Sequence, residues 1–148
     1  MCQERTGTIL RELVLSNAAS SVPEARRFVG DFLRTLPVRE VDAFDILMAL
    51  NEAVSNAHRH AQPHTGKGRI SVTVGVQNEA LLIHVSDDGP GFHYRPQMAE
   101  LPDPFASKGR GFFLMNELMD GVDVESGRSG TTVSLTRSMN SVDLFAAQ

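Results

Sequence analysis

Apolar residues recur along this chain with two periods, and the switches between them mark its elements. Residues 8–15, TILRELVL, mix apolar and polar positions in the manner of a first strand. Ser20-Ser21-Val22-Pro23-Glu24 then carries the features of a helix start: serines for the cap, a proline tolerated in the first turn, and an early acid. In the EARRFVGDFLRTL that follows, Phe28, Phe32 and Leu36 share one face before Pro37 ends the helix. A longer helix is predicted from about Glu40 to Ala61, where Leu47, Leu50, Val54, Ala57 and Ala61 form a core-facing stripe. Pro63, Gly66 and Gly68 break it within the loop 62–68.

Beyond that loop the period changes to two. RISVTVGV at 69–76 alternates through Ile70, Val72, Val74 and Val76. Asn78-Glu79 makes a tight connection to a second strand, ALLIHVS at 80–86, so the pair reads as a hairpin. Residues 92–108 hold Pro96, Pro102 and Pro104 without periodicity, and a stretch of that length suits a functional lid better than a passive link. A helix at 110–120, a strand near 121–126, a turn at Gly127–Gly130 and a strand at 131–137 complete the order. Strand, two helices, hairpin, helix and hairpin give an α+β layout, with helices on one face of a mostly antiparallel sheet. The repeating βαβ order of a dinucleotide-binding fold is absent. The expected organisation is one domain over 1–148, with a core at 8–137 and a tail at 138–148.

Composition narrows the classes of function. The 148 residues are 41% hydrophobic and 22% charged, ordinary values for a globular chain. A formal net charge of −4 and the lack of a long basic run argue against a general nucleic-acid binder. Cys2 stands alone, which fits a reducing compartment. No apolar run approaches the ~20 residues that span a bilayer, and the first residues lack a signal-peptide pattern, so a cytoplasmic location is expected.

Three constellations carry chemistry. Glu52, Asn56 and His60 lie one turn apart on the long helix, as a polar stripe roughly opposite Val54. A carboxylate and an amide so spaced suit a general base and a neutral metal ligand, although a solvated helix face explains the same residues. Asp87-Asp88-Gly89-Pro90-Gly91-Phe92 follows an apolar strand. There an aspartate can accept hydrogen bonds from an amine and glycines allow close backbone approach, but the segment also suits an ordinary turn. An EF-hand is a poor alternative, since its alternating acids and terminal glutamate are missing. Gly109-Arg110-Gly111-Phe112-Phe113 opens a helix beside Lys108, the arrangement of an anion site or of a simple hinge. The Gly-Lys-Ser/Thr of a Walker loop is absent.

The order of these segments resembles the GHKL (Bergerat-fold) ATPases, and within them the short anti-sigma factor serine kinases. LNEAVSNAHRHA looks like that family's N box, DDGPGF and GRGFFLMNELMD like its two glycine boxes, and GTTVSL like its final adenine-side strand. The likeness covers roughly residues 8–137. It implies Glu52 as the general base, and Asn56 as a ligand of Mg²⁺ that bridges the ATP phosphates. Asp87 would accept from the adenine amino group, Gly89 and Gly91 would keep that wall thin, and Thr131 would sit near adenine. Gly109, Gly111, Phe112 and the following amides would cradle phosphate oxygens, with Lys108 and Arg110 as neighbours. One departure is Phe113, where many members have a third glycine.

The resemblance implies an ATP-dependent protein serine kinase. It would transfer the γ-phosphate to a serine of an anti-sigma factor antagonist and sequester a sigma factor, without direct contact to nucleic acid or membrane. A homodimer is implied, with the first strand and the helix bearing Arg26, Arg27 and Arg34 as candidate surfaces. A sensor histidine kinase is disfavoured, because no room is seen for a dimerisation helix and His58, His60 and His64 look structural. Two readings stand beside the kinase: an ATP-dependent protein-binding switch with little catalysis, for which Glu52 has no use, and an interaction domain without nucleotide.

Overall fold

Five strands form one sheet in the order β1-β2-β3-β5-β4, and every neighbouring pair is antiparallel. They are β1 (Ile9–Ser16), β2 (Arg69–Gln77), β3 (Ala80–Asp87), β4 (Gly121–Gly127) and β5 (Gly130–Ser138). This computed structural model describes residues 9–16, 19–61, 68–91, 99–100 and 110–139. Of the expected lid at 92–108 only residues 99 and 100 are among those described; Phe92, Lys108 and Gly109 lie outside them, as do His64 and the tail after Met139.

Register explains the two faces. Leu13, Val72, Val85, Val133 and Val124 line up across the sheet, with Val74, Ile83, Leu135 and Val122 in the next row. These rows are the floor of the core, each strand giving alternate residues to it. The opposite face is polar, with His84 Nδ1 2.8 Å from Ser134 Oγ and Ser86 Oγ 2.9 Å from Thr132 Oγ1. Asn78 and Glu79 both take positive φ, 51° and 61°, so the β2–β3 loop is a two-residue turn of the hand that suits hairpins.

Helices α1 (Ser21–Leu33), α2 (Glu40–His60) and α3 (Gly111–Leu118) cover the apolar face, with α2 between the other two. Two expectations for α1 are corrected. Neither Ser20 nor Ser21 caps it: Ser20 makes no side-chain cap bond, and Ser21 Oγ donates to the Ser16 carbonyl at 3.2 Å, tying the helix to β1. The buried stripe is Ala25, Val29, Phe32 and Leu33, while Phe28 and Leu36 are only half-buried. Ala25 and Val29 take core-facing positions beside the larger Phe32 and Leu33, as α1 packs against α2 and β1. On α2, Leu47 is likewise half-buried, and Ile46, Ala49 and Ala53 join the predicted Leu50, Val54 and Ala57 in the core.

An ion-pair knot closes the far end of the fold. Asp42 accepts from Arg39 Nε and Arg137 Nη2, both at 2.6 Å, and Arg137 Nη1 donates to the Leu118 carbonyl at 2.6 Å. One guanidinium from β5 thereby joins the start of α2 to the end of α3. The hydrogen bond from Arg39, helped by the charge of Arg137, holds the Asp42 carboxyl below the ordinary range against the opposing effect of burial.

Candidate functional site

The site is assembled where α2 ends, β3 ends and α3 begins. Asp87 is the last residue of β3 and sits in the sheet row of Leu15, Ile70 and Thr131, so its side chain points to the helix-covered face. It is 8% exposed. The Gly89 amide donates to Asp87 Oδ1 at 3.0 Å, and the Thr131 amide also donates to this carboxylate. Burial raises its pKa above the usual 3.8, opposed by those two amides and by the charge of His60. A buried carboxylate with acceptor capacity beyond its two amide donors is a strong acceptor for an amine or amidine-like edge. Thr131 lies beside it, 2% exposed, with Oγ1 2.7 Å from Ser126 Oγ.

The glycines have a structural reason of their own. A side chain on Gly89 would stand 2.0 Å from the His60 carbonyl oxygen, and one on Gly91 would stand 2.3 Å from that of Gly127. Gly130, at φ 137°, meets the Asp87 carbonyl at 1.9 Å in the same test. The loop after β3 is thus clamped between the C-terminus of α2 and the β4–β5 turn, with backbone against backbone. The room released by Gly89 and Gly91 is filled by the protein's own carbonyls, which differs from the thin ligand-facing wall expected from sequence. Asp88 completes the clamp by accepting from the Arg69 amide at 2.8 Å.

The third segment arrives from α3. Gly111 opens that helix, and a side chain there would come within 3.2 Å of Glu52 Oε2. The carboxylate of α2 and the amino end of α3 are therefore neighbours. Arg110 is exposed at the N-cap position, and its side chain makes no cap bond. The Phe112 side chain is buried in the core, leaving only its backbone to face a ligand. Asn56, one turn beyond Glu52, is 5% exposed, and its buried Nδ2 has no hydrogen-bond partner among the described residues. It was expected on a polar stripe and is instead sunk between elements, an orphan amide that asks for an acceptor. The fold sets Glu52 against Gly111, and Asp87 against Gly89 and Thr131, with Asn56 buried on α2 one turn beyond Glu52; Lys108 and Gly109 lie outside the described residues.

Sequence reading missed Ser126, which holds the Thr131 hydroxyl. His60, placed on the polar stripe but read as structural, sets its carbonyl against Gly89 and acts electrostatically on Asp87.

An antiparallel sheet with helices on one face, and a site set between the long helix and a glycine-opened short one, define a histidine kinase-like ATPase domain. The sequence profile of that family, described as the histidine kinase-like ATPase domain, matches residues 15–137, and the chain belongs to it. Its relatives include serine-protein kinases RsbW and anti-sigma F factors. A serine-protein kinase RsbW of Bacillus velezensis is 36% identical over 107 residues, covering 67% of this chain and 66% of the relative. An anti-sigma F factor of Clostridium botulinum is 30% identical over 122 residues, covering 78% of this chain and 85% of the relative. The match thus spans slightly less than two thirds of the RsbW length. A solved structure of the RsbU and RsbW domains of a Mycobacterium tuberculosis protein superposes with a TM-score of 0.69 at 21% identity, over 91% of this chain and 34% of that one.

Proposed function

We propose that this chain is an ATP-dependent protein serine kinase and anti-sigma factor. It passes the γ-phosphate of ATP to a serine of an antagonist protein and otherwise holds a sigma factor inactive. The observation that carries the reading is the meeting of Glu52 with the amino end of α3 at Gly111. A base and an anion-binding helix terminus at one point suit transfer of a phosphoryl group to a hydroxyl. The names of the RsbW and anti-sigma F relatives support the choice of serine as acceptor and of a sigma factor as partner.

In this reading Asp87 takes a hydrogen bond from the adenine amino group, with Thr131 beside it. The backbone opening α3, with Gly109, Arg110 and Lys108, holds the phosphates. Glu52 removes the proton of the acceptor serine as its oxygen attacks the γ-phosphorus, the bond to the β–γ bridging oxygen breaks, and ADP leaves. Asn56 would hold Mg²⁺ through its Oδ1, the oxygen donor that a hard cation takes, while its buried Nδ2–H, without a partner among the described residues, suits a phosphate oxygen as acceptor. When bound, Mg²⁺ offsets the charge of the phosphates.

Residues 8–137 act as one unit in this proposal, and two copies pair. β1 is an edge strand with Leu10 and Val14 exposed, and α1 places Arg26, Arg27 and Arg34 nearby. No helix among the described residues is long and apolar enough to cross a membrane, which suits action in the cytoplasm without a membrane partner.

Calorimetry with ATP and ADP, with and without Mg²⁺, tests the site, and radiolabel transfer from ATP to purified antagonist proteins tests the activity. The expected result is Mg²⁺-dependent ATP binding that falls in Asn56→Ala. Glu52→Gln should keep binding and lose transfer by about 10²–10⁴-fold, the worth of a general base. Binding without transfer to any antagonist would leave a nucleotide-dependent switch; no binding would leave an interaction domain.

A further inference from the structure

Three large apolar side chains of α2 remain in solvent: Val41 is 58% exposed, Phe44 61% and Met48 36%. At 100° per residue they fall, together with Glu52, within an arc of roughly 80° around the helix. They are the two turns immediately before the carboxylate that faces Gly111. The other exposed large apolar residues among those described, Leu10 and Val14, lie on β1 and form a separate surface.

We propose that the Val41–Phe44–Met48 stripe is the docking surface for the phospho-acceptor protein. This rests on the kinase reading and deepens it by assigning where the substrate sits. The argument is one of continuity. A rise of 1.5 Å per residue puts Met48 about 6 Å and Phe44 about 12 Å from Glu52 along the axis. A folded protein that presents a serine hydroxyl to Glu52 must cover the surface beside it, and that surface is this stripe. Phe and Met are side chains well suited to a contact anchor: large, apolar, and in Met's case adaptable. Glu40 and Glu52 bracket the stripe with negative charge, so the occupant presents an apolar patch edged by basic rather than acidic groups, about 12 Å from its acceptor serine. A second copy of this chain seated here would bar the acceptor from Glu52, and β1 offers a copy another apolar face.

The test uses the full chain and the antagonist that the wild type phosphorylates in the radiolabel assay. Phe44→Glu and Val41→Glu are compared with Phe44→Leu and with Leu10→Glu on the other surface; all three positions are solvent-facing, and circular dichroism checks the folding of the four variants. Phe44→Glu is expected to raise KM for the antagonist about tenfold or more, the worth of one buried anchor. ATP affinity and kcat at saturation should stay within about twofold, and Phe44→Leu should restore most of the loss. Transfer by Phe44→Glu and Val41→Glu at the wild-type KM, with ATP bound normally, overturns the docking surface while leaving the kinase intact. Loss of dimer mass in sedimentation by Phe44→Glu overturns it in favour of a self-interface. Restoration of Phe44→Glu by deleting residues 140–148, or a loss confined to sigma-factor binding, overturns it in favour of those occupants. A wild type that binds ATP but phosphorylates no antagonist overturns the kinase reading, and the docking surface with it.

Discussion

Asp87 shows how much one residue can be asked to do. Its carboxylate is buried in the sheet row of Ile70 and Thr131, and the fold supplies two amides and the His60 charge rather than a full complement. Because its folded pKa is raised, the native state binds more protons than the unfolded one above pH 3.8, so its contribution to stability declines as pH rises through that window. The charged form accepts from an amine best. ATP affinity is therefore expected to fall on acidification at a higher pH than an ordinary carboxylate would give, which calorimetry across pH 4–7 would register. Asp87→Asn should lose ATP binding about 10–100-fold, the worth of a charge-assisted bond, without loss of stability at neutral pH in urea titration. A variant that bound ATP normally would remove Asp87 from the adenine side. The sequence announced this residue through DDGPGF at a strand end, but not its burial, which depends on β5 pairing from 44 residues away at Thr131.

Elements were legible where period alone decides them. β2, β3 and β5 alternate cleanly, and α2 declares itself by its stripe. What escaped the sequence was anything set by contact between elements. On α1 the large Phe28 drew attention, while packing against α2 and β1 puts Ala25 and Val29 in the core. The glycines were read as making way for a ligand, yet Gly89 makes way for the last carbonyl of α2. Gly89→Ala must therefore push backbone against backbone and is expected to cost about 3 kcal/mol, at the upper end for overpacking, in denaturant unfolding. Gly111→Ala meets only the end of the Glu52 side chain at 3.2 Å, so its stability should change little. A cost for Gly89→Ala as small as that for Gly111→Ala would show that the clamp gives way.

At the scale of the whole molecule, two ends of the same fold respond to pH in opposite senses. The knot of Asp42 with Arg39 and Arg137 needs a charged carboxylate whose pKa is lowered. Its stabilisation is present above pH 3.8 and is lost as pH falls through the lower folded value, the reverse of Asp87. Asp42→Asn leaves Arg137, 20% exposed, with Asp45 at 3.8 Å as its remaining carboxylate, and should destabilise by about 1–3 kcal/mol at pH 7. The loss relative to wild type should shrink only at strongly acid pH. This pair, separated by 95 residues, has no signature in the sequence beyond the charges themselves. Helix α2 connects these ends. Its 21 residues run from the knot, past the exposed apolar stripe and Glu52, to the carbonyl that meets Gly89. In the proposed reading docking falls on its first half and chemistry on its second, so partner choice and turnover are written on one rod at separate addresses. Such a layout lets a duplicated gene change its client by drift at a few exposed positions while the reaction is inherited untouched. Transplanting residues 41, 44 and 48 from a paralogue should redirect phosphorylation to that paralogue's antagonist at an unchanged maximal rate.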